Sequence, residues 1–175
     1  MTFANPKRNI EQFGLESGMD VADFGAGAGY LAIEAAEAVG KDGAVYVIDV
    51  QQELLTKATH LAQEHHLDSI SFIHADLEKE NGSTLPDESV DAVIVSNLLF
   101  QVEDKNAVLL EAYRLLRKDG RLLVVDWRES FGGVGPQPEH VLREEDVHTI
   151  AKNCGFTHGD DIDAGAYHYG MIFRK

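Results

Sequence analysis

The sequence of 175 residues contains one cysteine, Cys154, which excludes a disulfide within the chain and a zinc site built from several cysteines. Basic residues are also few, with 15 Lys and Arg against 30 Asp and Glu and a formal net charge of −15. Because nucleic-acid binding depends on Lys and Arg contacts with phosphates, we do not expect a nucleic acid as substrate or partner. No apolar run approaches the roughly 20 residues of a membrane-spanning helix. The polar first residues do not resemble a signal peptide, so we expect a cytoplasmic protein with no membrane association.

The eight histidines are scattered along the chain. Their spacing does not match the ligand patterns of common metal sites, so we predict no metal. Hydrophobic residues make up 44% of the chain and charged residues 26%, as is usual in globular proteins. The length suits one domain, which we place over residues 1–175.

The most informative stretch is an apolar run, residues 21–24, that leads into glycines at alternate positions. Gly25, Gly27 and Gly29 predict a turn whose backbone adopts conformations that other residues avoid. An apolar pattern with helical spacing follows over residues 30–39. A strand, a glycine turn and a helix in this order allow a nucleotide-like ligand to lie close against the backbone.

Predicted strands and helices alternate along the rest of the chain, which indicates a parallel sheet covered on both faces. The last two strand-like segments, around residues 156–162 and 166–173, are joined by too few residues for a crossover helix, so we expect them to pair antiparallel. The predicted fold is α/β, a doubly wound, mostly parallel seven-stranded sheet with helices on both faces and an antiparallel C-terminal strand pair. The other predicted strands are 21–24, 44–49, 71–76, 90–96 and 121–126. Helices are predicted over residues 30–39, 51–66 and 144–153, and two more are predicted to begin after Asn5 and after Asp104.

Acidic side chains end four of the five parallel strands, at Asp23, Asp49, Asp76 and Asp126. Ligands of doubly wound sheets bind outside the carboxyl ends of the strands. The spacing from the glycines to Asp49 suits a carboxylate that accepts from the two hydroxyls of a ribose, which NAD and S-adenosylmethionine both carry. Asp76 would accept from an adenine amino group. Asp23 suits an ammonium group, and the N–H groups at the helix start suit a carboxylate.

These residues resemble the motifs of the class I S-adenosylmethionine-dependent methyltransferases. Residues 23–29 resemble the first motif, acid-x-Gly-x-Gly-x-Gly, Asp49 matches the ribose-binding acid, residues 75–77 match the adenine-contacting segment, and residues 91–98 and 116–125 resemble the fourth-strand motif and the following helix-turn-strand. The resemblance implies a Rossmann-like methyltransferase fold, S-adenosyl-L-methionine as cofactor and S-adenosyl-L-homocysteine as product. It implies cofactor contacts from Asp23, Phe24, Gly25, Ala26, Gly27, Gly29, Tyr30, Asp49, Val50, Ala75, Asp76, Leu77, Ser96, Asn97 and Leu98.

Within that family, the sequence is most similar to the small-molecule branch that includes ubiquinone/menaquinone-biosynthesis methyltransferases. Residues 96–99, Ser-Asn-Leu-Leu, lack the Pro-Pro-aromatic motif of enzymes that methylate amino groups of nucleic-acid bases. Relatives that methylate arsenic need several cysteines, whereas this sequence has one. The segment before the first strand, which helps to cover the substrate in such enzymes, is very short here. We therefore expect a small-molecule substrate.

Methyl transfer from a sulfonium is an in-line displacement, so the protein mainly has to orient the reacting groups. A general base helps if the acceptor is a hydroxyl or an acidic carbon, and the candidates are Asp126, His140 and His168. His168 and Tyr169 are neighbours on a predicted strand, so only one of them should face the pocket. The predicted substrate pocket contains Phe100, Gln101, Trp127, Arg128 and Tyr169, and its mouth contains Phe3, Phe100, Trp127, Phe131 and His140.

Two other functions fit parts of the sequence. An NAD-dependent oxidoreductase would use the same ribose-binding acid, although the glycine spacing is not Gly-x-Gly-x-x-Gly and Asp23 has no role beside a pyrophosphate. A cofactor-binding partner subunit without turnover would explain the short first segment, because another chain would then cover the substrate. We expect a monomer or a homodimer.

Overall fold

The computed structural model describes residues 5–25 and 27–175, so the predicted residues Phe3 and Ala26 lie outside the described part. Helices and strands alternate along most of the chain, as the sequence predicts. The α-helices are α1 (Pro6–Phe13), α2 (Tyr30–Val39), α3 (Gln52–Glu64), α4 (Lys105–Leu115) and α5 (Glu144–Asn153). The strands are β1 (Asp20–Phe24), β2 (Ala44–Asp49), β3 (Ile70–His74), β4 (Val90–Ser96), β5 (Leu116–Trp127), β6 (Thr157–Ile162) and β7 (His168–Arg174).

The strands form one seven-stranded sheet in the order β3-β2-β1-β4-β5-β7-β6. The first five strands of that order pair in parallel, and β7 pairs antiparallel with both β5 and β6. The predicted fold class is therefore confirmed, including the antiparallel pair at the end of the chain. The strand order reverses between β1 and β4, which is where doubly wound sheets bind their ligands.

Helices cover both faces of the sheet. Side chains of α1, α2 and α3 pack on one face with Val21 and Leu123, and side chains of α4 and α5 pack on the other face with Val93 and Val124. Burying both faces explains why the central strands are continuous apolar runs. None of the helices in the described ranges is both long enough and apolar enough to cross a membrane.

Local sequence signals account for the helix starts on both sides of the sheet. Asn5 caps α1 by accepting a hydrogen bond from the Arg8 N–H at 3.2 Å, and Pro6 occupies the first turn. Asp104 caps α4 by accepting from the Ala107 N–H at 2.9 Å. Both caps agree with the sequence prediction.

The bounds of several elements differ from the prediction, and two of these differences concern the end of β3 and the start of β5. The strand predicted to end on Asp76 ends at His74, so that Asp76 lies in the following loop. Strand β5 begins at Leu116, earlier than predicted. Its register against β4 is irregular between the pairs Val90–Leu116 and Ala92–Arg121. The turn that the helix-turn-strand resemblance implies within residues 116–125 is the irregular part of β5, where Asp119 has a φ of +65°.

Candidate functional site

The glycine turn between β1 and α2 is shaped by close packing at two of its glycines and by open space at the third. A Cβ atom on Gly25 would lie 2.7 Å from Leu98 Cδ1, and one on Gly29 would lie 2.8 Å from Ala58 Cβ. At Gly27, by contrast, no atom of the described residues, apart from the glycine and its chain neighbours, lies within 4 Å of the Cβ position. All three have positive φ, which favours glycine. Gly25 and Gly29 therefore pack closely against neighbouring side chains, whereas the space beside Gly27 is open. A ligand can approach the backbone there.

One cavity opens on the β2 and β3 side of this turn, and we call it the acidic cavity. Asp49 and Asp76 both line it, and its volume is about 270 Å³. One oxygen of each carboxylate accepts a backbone hydrogen bond, from the Gln51 N–H at 2.8 Å and from the Glu78 N–H at 3.1 Å, respectively. These bonds orient the two carboxylates. The lining also includes Gly25, Gly27, Val50, Gln51, Leu54, Ala75, Leu77, Glu78, Leu98, Gln101 and Val102.

A second cavity of about 280 Å³ lies on the other side of Gly25 and Gly27, and we call it the amide cavity. Three buried side-chain oxygens in its lining, Asn9 Oδ1, Asp23 Oδ2 and Asn97 Oδ1, have no hydrogen-bond partner among the described residues. Buried acceptors are normally paired, so a ligand with donor groups would satisfy this cluster. Pro6, Ala28, Tyr30, Leu31, Ser96 and Gln101 complete the lining.

Asp23 dominates the electrostatics of the amide cavity. Burial, and secondarily the nearby charge of Asp49, raises its pKa from 3.8 to about 7. A positively charged ligand group beside Asp23 would favour the ionised carboxylate and lower that pKa. The amide cavity is therefore best suited to a cation that also donates hydrogen bonds.

A third cavity, which we call the loop cavity, lies between the segment after β4 and the segment before α5. It has a volume of about 500 Å³ and brings together the predicted residues Phe100, Gln101 and His140. Gln101 also lines the acidic and amide cavities, so its side chain stands where all three meet. Its amide nitrogen donates to the Asn97 carbonyl at 2.6 Å. The remaining lining consists of Val102, Glu103, Lys105, Glu139, Val141 and Leu142.

Two of the three predicted bases lie outside these cavities. The Asp126 carboxylate accepts from the Trp127 N–H at 2.8 Å and from the Phe100 N–H at 3.3 Å, and burial raises its pKa to about 6. His168 is buried with its ring 4.3 Å from that of Trp127, and burial lowers its pKa. Asp126 thus connects the segment after β4 to the end of β5, and His140 is the candidate base that lines a cavity.

Three residues of the predicted substrate pocket lie apart from the loop cavity. Tyr169 packs in the core, where its hydroxyl donates to the Leu142 carbonyl at 3.0 Å, and burial raises its pKa. Arg128 is exposed and pairs with Glu144 at 2.6 Å. The Trp127 indole packs against the His168 ring, and a Cβ atom added to Gly135 would lie only 2.6 Å from the indole. His168 and Tyr169 are both buried, because both faces of β7 are covered, and the expectation that only one of them faces the pocket stays a prediction.

The remaining predicted residues divide into two groups. Phe24 is buried in the core beneath the turn, and Phe131 stacks edge-on against Tyr167 at 4.5 Å. Tyr30 and Val50 are 62% and 58% exposed at the rims of the amide and acidic cavities, where a ligand would cover apolar surface. Asn9 is a cavity residue that the sequence interpretation missed, and its place beside Ile10 on the buried side of α1 could have indicated it.

Comparisons with known proteins show the family of this chain. A family model described as a methyltransferase domain matches residues 15–163. The ubiquinone/menaquinone biosynthesis C-methyltransferase UbiE of Marinomonas sp. (strain MWYL1) is 30% identical over 122 residues, which are 69% of this chain and 47% of that protein. An arsenite methyltransferase of Halobacterium salinarum is 30% identical over 147 residues, which are 84% of this chain and 36% of that protein. The chain thus spans about half or less of the length of these relatives.

A solved structure shows the same architecture over nearly the whole chain. The crystal structure of a SAM-dependent methyltransferase from Aquifex aeolicus superposes with a TM-score of 0.89 at 28% identity, covering 98% of this chain and 90% of that one. The [4+2]-cyclase SpnF superposes with a TM-score of 0.82 at 17% identity, over 97% of this chain and 79% of that one, which shows a shared fold.

Proposed function

The chain belongs to the class I S-adenosylmethionine-dependent methyltransferases, and from this premise we propose that it transfers a methyl group from S-adenosyl-L-methionine to a small-molecule acceptor. The observation that carries the proposal is the pair of cavities on either side of Gly27, one with two oriented carboxylates and one with three unpaired buried oxygens. A nucleoside linked to an amino acid has complementary groups for both. The product would be S-adenosyl-L-homocysteine.

The described residues fit this cofactor at both ends. In the acidic cavity, Asp49 would accept from the ribose hydroxyls, since a carboxylate has acceptors for two donors. Asp76 would accept from the adenine amino group. In the amide cavity, Asp23 would hold the ammonium group and ionise as it does so. The open position above Gly27 leaves room for the part of the cofactor that joins these groups.

We place the acceptor in the loop cavity. Phe100, Val102 and Leu142 give it apolar walls, whereas Lys105 and Glu139 put charges at its edge. Lys105 already donates to the Val102 carbonyl at 2.8 Å, so part of its hydrogen-bonding capacity is used within the protein. This lining suits an organic acceptor with an apolar body and a polar substituent.

When bound, the cofactor supplies a methyl group on a sulfonium, which is reactive enough that the protein mainly contributes orientation. Gln101, which lines all three cavities, would position the acceptor relative to the cofactor. His140 is our candidate for the general base, because a neutral imidazole can accept a proton from an acceptor hydroxyl. Asp126 and His168 were also predicted as bases, but their contacts suit the positioning of the neighbouring segments.

The single cysteine bears on the arsenite methylation that one relative's name states. Arsenic(III), like other soft ions, favours thiolate ligands. Cys154 is buried against α4, where its thiol lies 3.8 Å from the Asn106 carbonyl, and it lines none of the three cavities formed by the described residues. Burial also raises the pKa of its thiol, which disfavours the thiolate. We therefore propose an organic acceptor.

Calorimetric titration with S-adenosylhomocysteine tests the cofactor assignment. We expect micromolar binding, about 8 kcal/mol, that is lost in Asp49→Ala and retained in Asp68→Ala, which removes an exposed carboxylate elsewhere. NADH should not bind. Binding of NADH in place of S-adenosylhomocysteine would instead support the oxidoreductase, and binding of neither would contradict the proposed site.

A methyl-transfer assay tests the reaction with the isolated chain. The acceptor panel should contain hydroxylated aromatic compounds related to quinone precursors, with arsenite as the soft inorganic alternative. We expect methylation of an organic acceptor. Turnover should be lower in His140→Gln and in Gln101→Ala, and His140→Gln should leave the cofactor affinity unchanged. Cofactor binding with no turnover until a second protein is added would support the partner-subunit alternative. Size-exclusion chromatography with light scattering tests the expected monomer or homodimer.

A further inference from the structure

Outside the linings of the three cavities, two histidines and an aspartate meet where α5 packs against the edge strand β6. Donor atoms of His148, His158 and Asp161 all lie within 4.8 Å of one another. The two imidazole rings are 4.5 Å apart between centroids, and His158 Nε2 lies 2.9 Å from Asp161 Oδ1. The sequence spacing does not predict this cluster, because His148 belongs to another element.

An irregularity in β6 is responsible for the meeting of His158 and Asp161. Residues three apart on a regular strand point to opposite faces of the sheet. The pairing of β6 with β7 shifts its register between His158 and Asp161. A bulge of this kind changes the direction in which the following side chains point, and bulges are common beside functional sites. Both side chains therefore reach the same side of the strand, where His148 of α5 joins them.

We propose that His148, His158 and Asp161 form a binding site for a divalent transition-metal ion such as Zn²⁺. Zinc bonds to nitrogen and oxygen ligands of about 2.0–2.2 Å require ligand atoms roughly 3.3 Å apart in a tetrahedral site. The described separations of 2.9 Å and up to 4.8 Å bracket that value. His158 and Asp161 are partly exposed, with side chains 35% and 69% accessible, so small rotations can bring the donors to the required distances.

The chemistry of the cluster selects the kind of metal. Two imidazoles and one carboxylate suit Zn²⁺, Co²⁺, Ni²⁺ and Cu²⁺, whereas Mg²⁺ and Ca²⁺ prefer sites made only of oxygen ligands. Three protein ligands leave the fourth tetrahedral position to water. The net charge of −15 attracts cations to the protein as a whole. The guanidinium of Arg174, which lies near Gly159 in the same strand pair, opposes this attraction locally.

The consequence of metal binding would be a link between α5 and β6. β6 is the edge strand of the sheet, and α5 follows the segment that lines the loop cavity. A ligand that binds the folded protein and not the unfolded chain raises the stability of the fold. The site is therefore structural in its effect and separate from the proposed methyl transfer.

Titration of the untagged, metal-free protein with ZnCl₂ tests the proposal, with Co²⁺ as a spectroscopic probe. We expect one Zn²⁺ per chain, a rise in Tm, and the visible absorption of tetrahedral Co²⁺. His158→Ala and His148→Ala should abolish all three effects, whereas His60→Ala, which removes an exposed histidine elsewhere, should keep them. Circular dichroism and S-adenosylhomocysteine binding show whether each variant is folded.

Two results would overturn the proposed metal site. Zinc binding that survives in both His158→Ala and His148→Ala would assign the ion to other groups. Binding of several zinc ions with no rise in Tm would indicate nonspecific chelation by surface histidines. Where an alanine variant does not fold, Asp161→Asn provides the measurement, because it keeps the size of the side chain and removes the charge. Retention of one-to-one binding and of the Co²⁺ spectrum in Asp161→Asn would exclude that carboxylate as a ligand.

Discussion

Replacement of Asp23 by asparagine should stabilise the ligand-free protein, by an amount that grows with pH. A raised pKa means that the folded protein holds this proton more tightly than the unfolded chain does. The contribution to stability is therefore fully present below pH 3.8 and is lost as the pH rises through about 7. At 1.36 kcal/mol per pKa unit, Asp23 costs about 4 kcal/mol at pH 8, where it is ionised in the folded protein, and about 2 kcal/mol at pH 5, where it must take up a proton on folding.

Asparagine has nearly the same shape and no charge, so Asp23→Asn should recover most of this cost. For a chain of this length, 1 kcal/mol corresponds to roughly 2–4 °C in Tm, so we expect a rise of about 10 °C at pH 8 and about half as much at pH 5. Thermal unfolding followed by circular dichroism measures both. The same variant should bind S-adenosylhomocysteine more weakly, because the ammonium loses its counter-charge.

The pH dependence separates this explanation from others. Asp68→Asn, at an exposed position, should show no comparable rise at either pH. An equal rise for Asp23→Asn at pH 5 and pH 8 would mean that the gain does not come from removing a buried charge. No rise at pH 8 would refute the inference that the Asp23 carboxylate is destabilising in the ligand-free protein.

Three further predictions concern other parts of the structure. Gly27→Ala and Gly18→Ala both place alanine at a positive φ in open surroundings. Each should lower the free energy of unfolding, measured in urea, by about 1 kcal/mol. Only Gly27→Ala should also weaken S-adenosylhomocysteine binding in calorimetry. Arg114→Ala should cost about 3 kcal/mol in urea unfolding, because Glu111 is buried and would lose its ion pair of 2.7 Å. Unchanged stability would contradict that pairing. Tyr169→Phe should cost about 1 kcal/mol and leave turnover unchanged, whereas lost turnover at unchanged stability would return Tyr169 to the substrate pocket.

Much of the fold can be predicted from the sequence because its signals are local. Residues 44–49, 90–96 and 144–153 have the predicted bounds, since apolar runs, caps and glycines mark their ends. The end of β3 was predicted two residues too late, because residues 75–76 continue an alternating pattern after the last residue that pairs with β2. A strand ends where its pairing with a neighbouring strand stops, and that pairing is not a local property of the sequence.

The candidate site was predictable where it depends on strand ends and not where it depends on tertiary packing. Asp23 and Asp49 lie at the ligand-binding end of the sheet because they stand at or next to the carboxyl ends of β1 and β2. His168 was predicted as a candidate base and Tyr169 as a pocket residue, but tertiary packing buries both side chains. Asn9 contributes to the amide cavity through the docking of α1, which residue spacing within one helix does not specify.

The irregular β6 strand also bears on how copies of the protein can associate. An edge strand presents unpaired N–H and C=O groups, and a regular, apolar edge invites a second molecule to extend the sheet. The register shift in β6 interrupts that row of groups, and the exposed carboxylates of Asp160 and Asp161 put negative charge on this strand, so two such edges would repel each other. Strand addition is therefore opposed at this end of the sheet, and a homodimer would have to form through another surface.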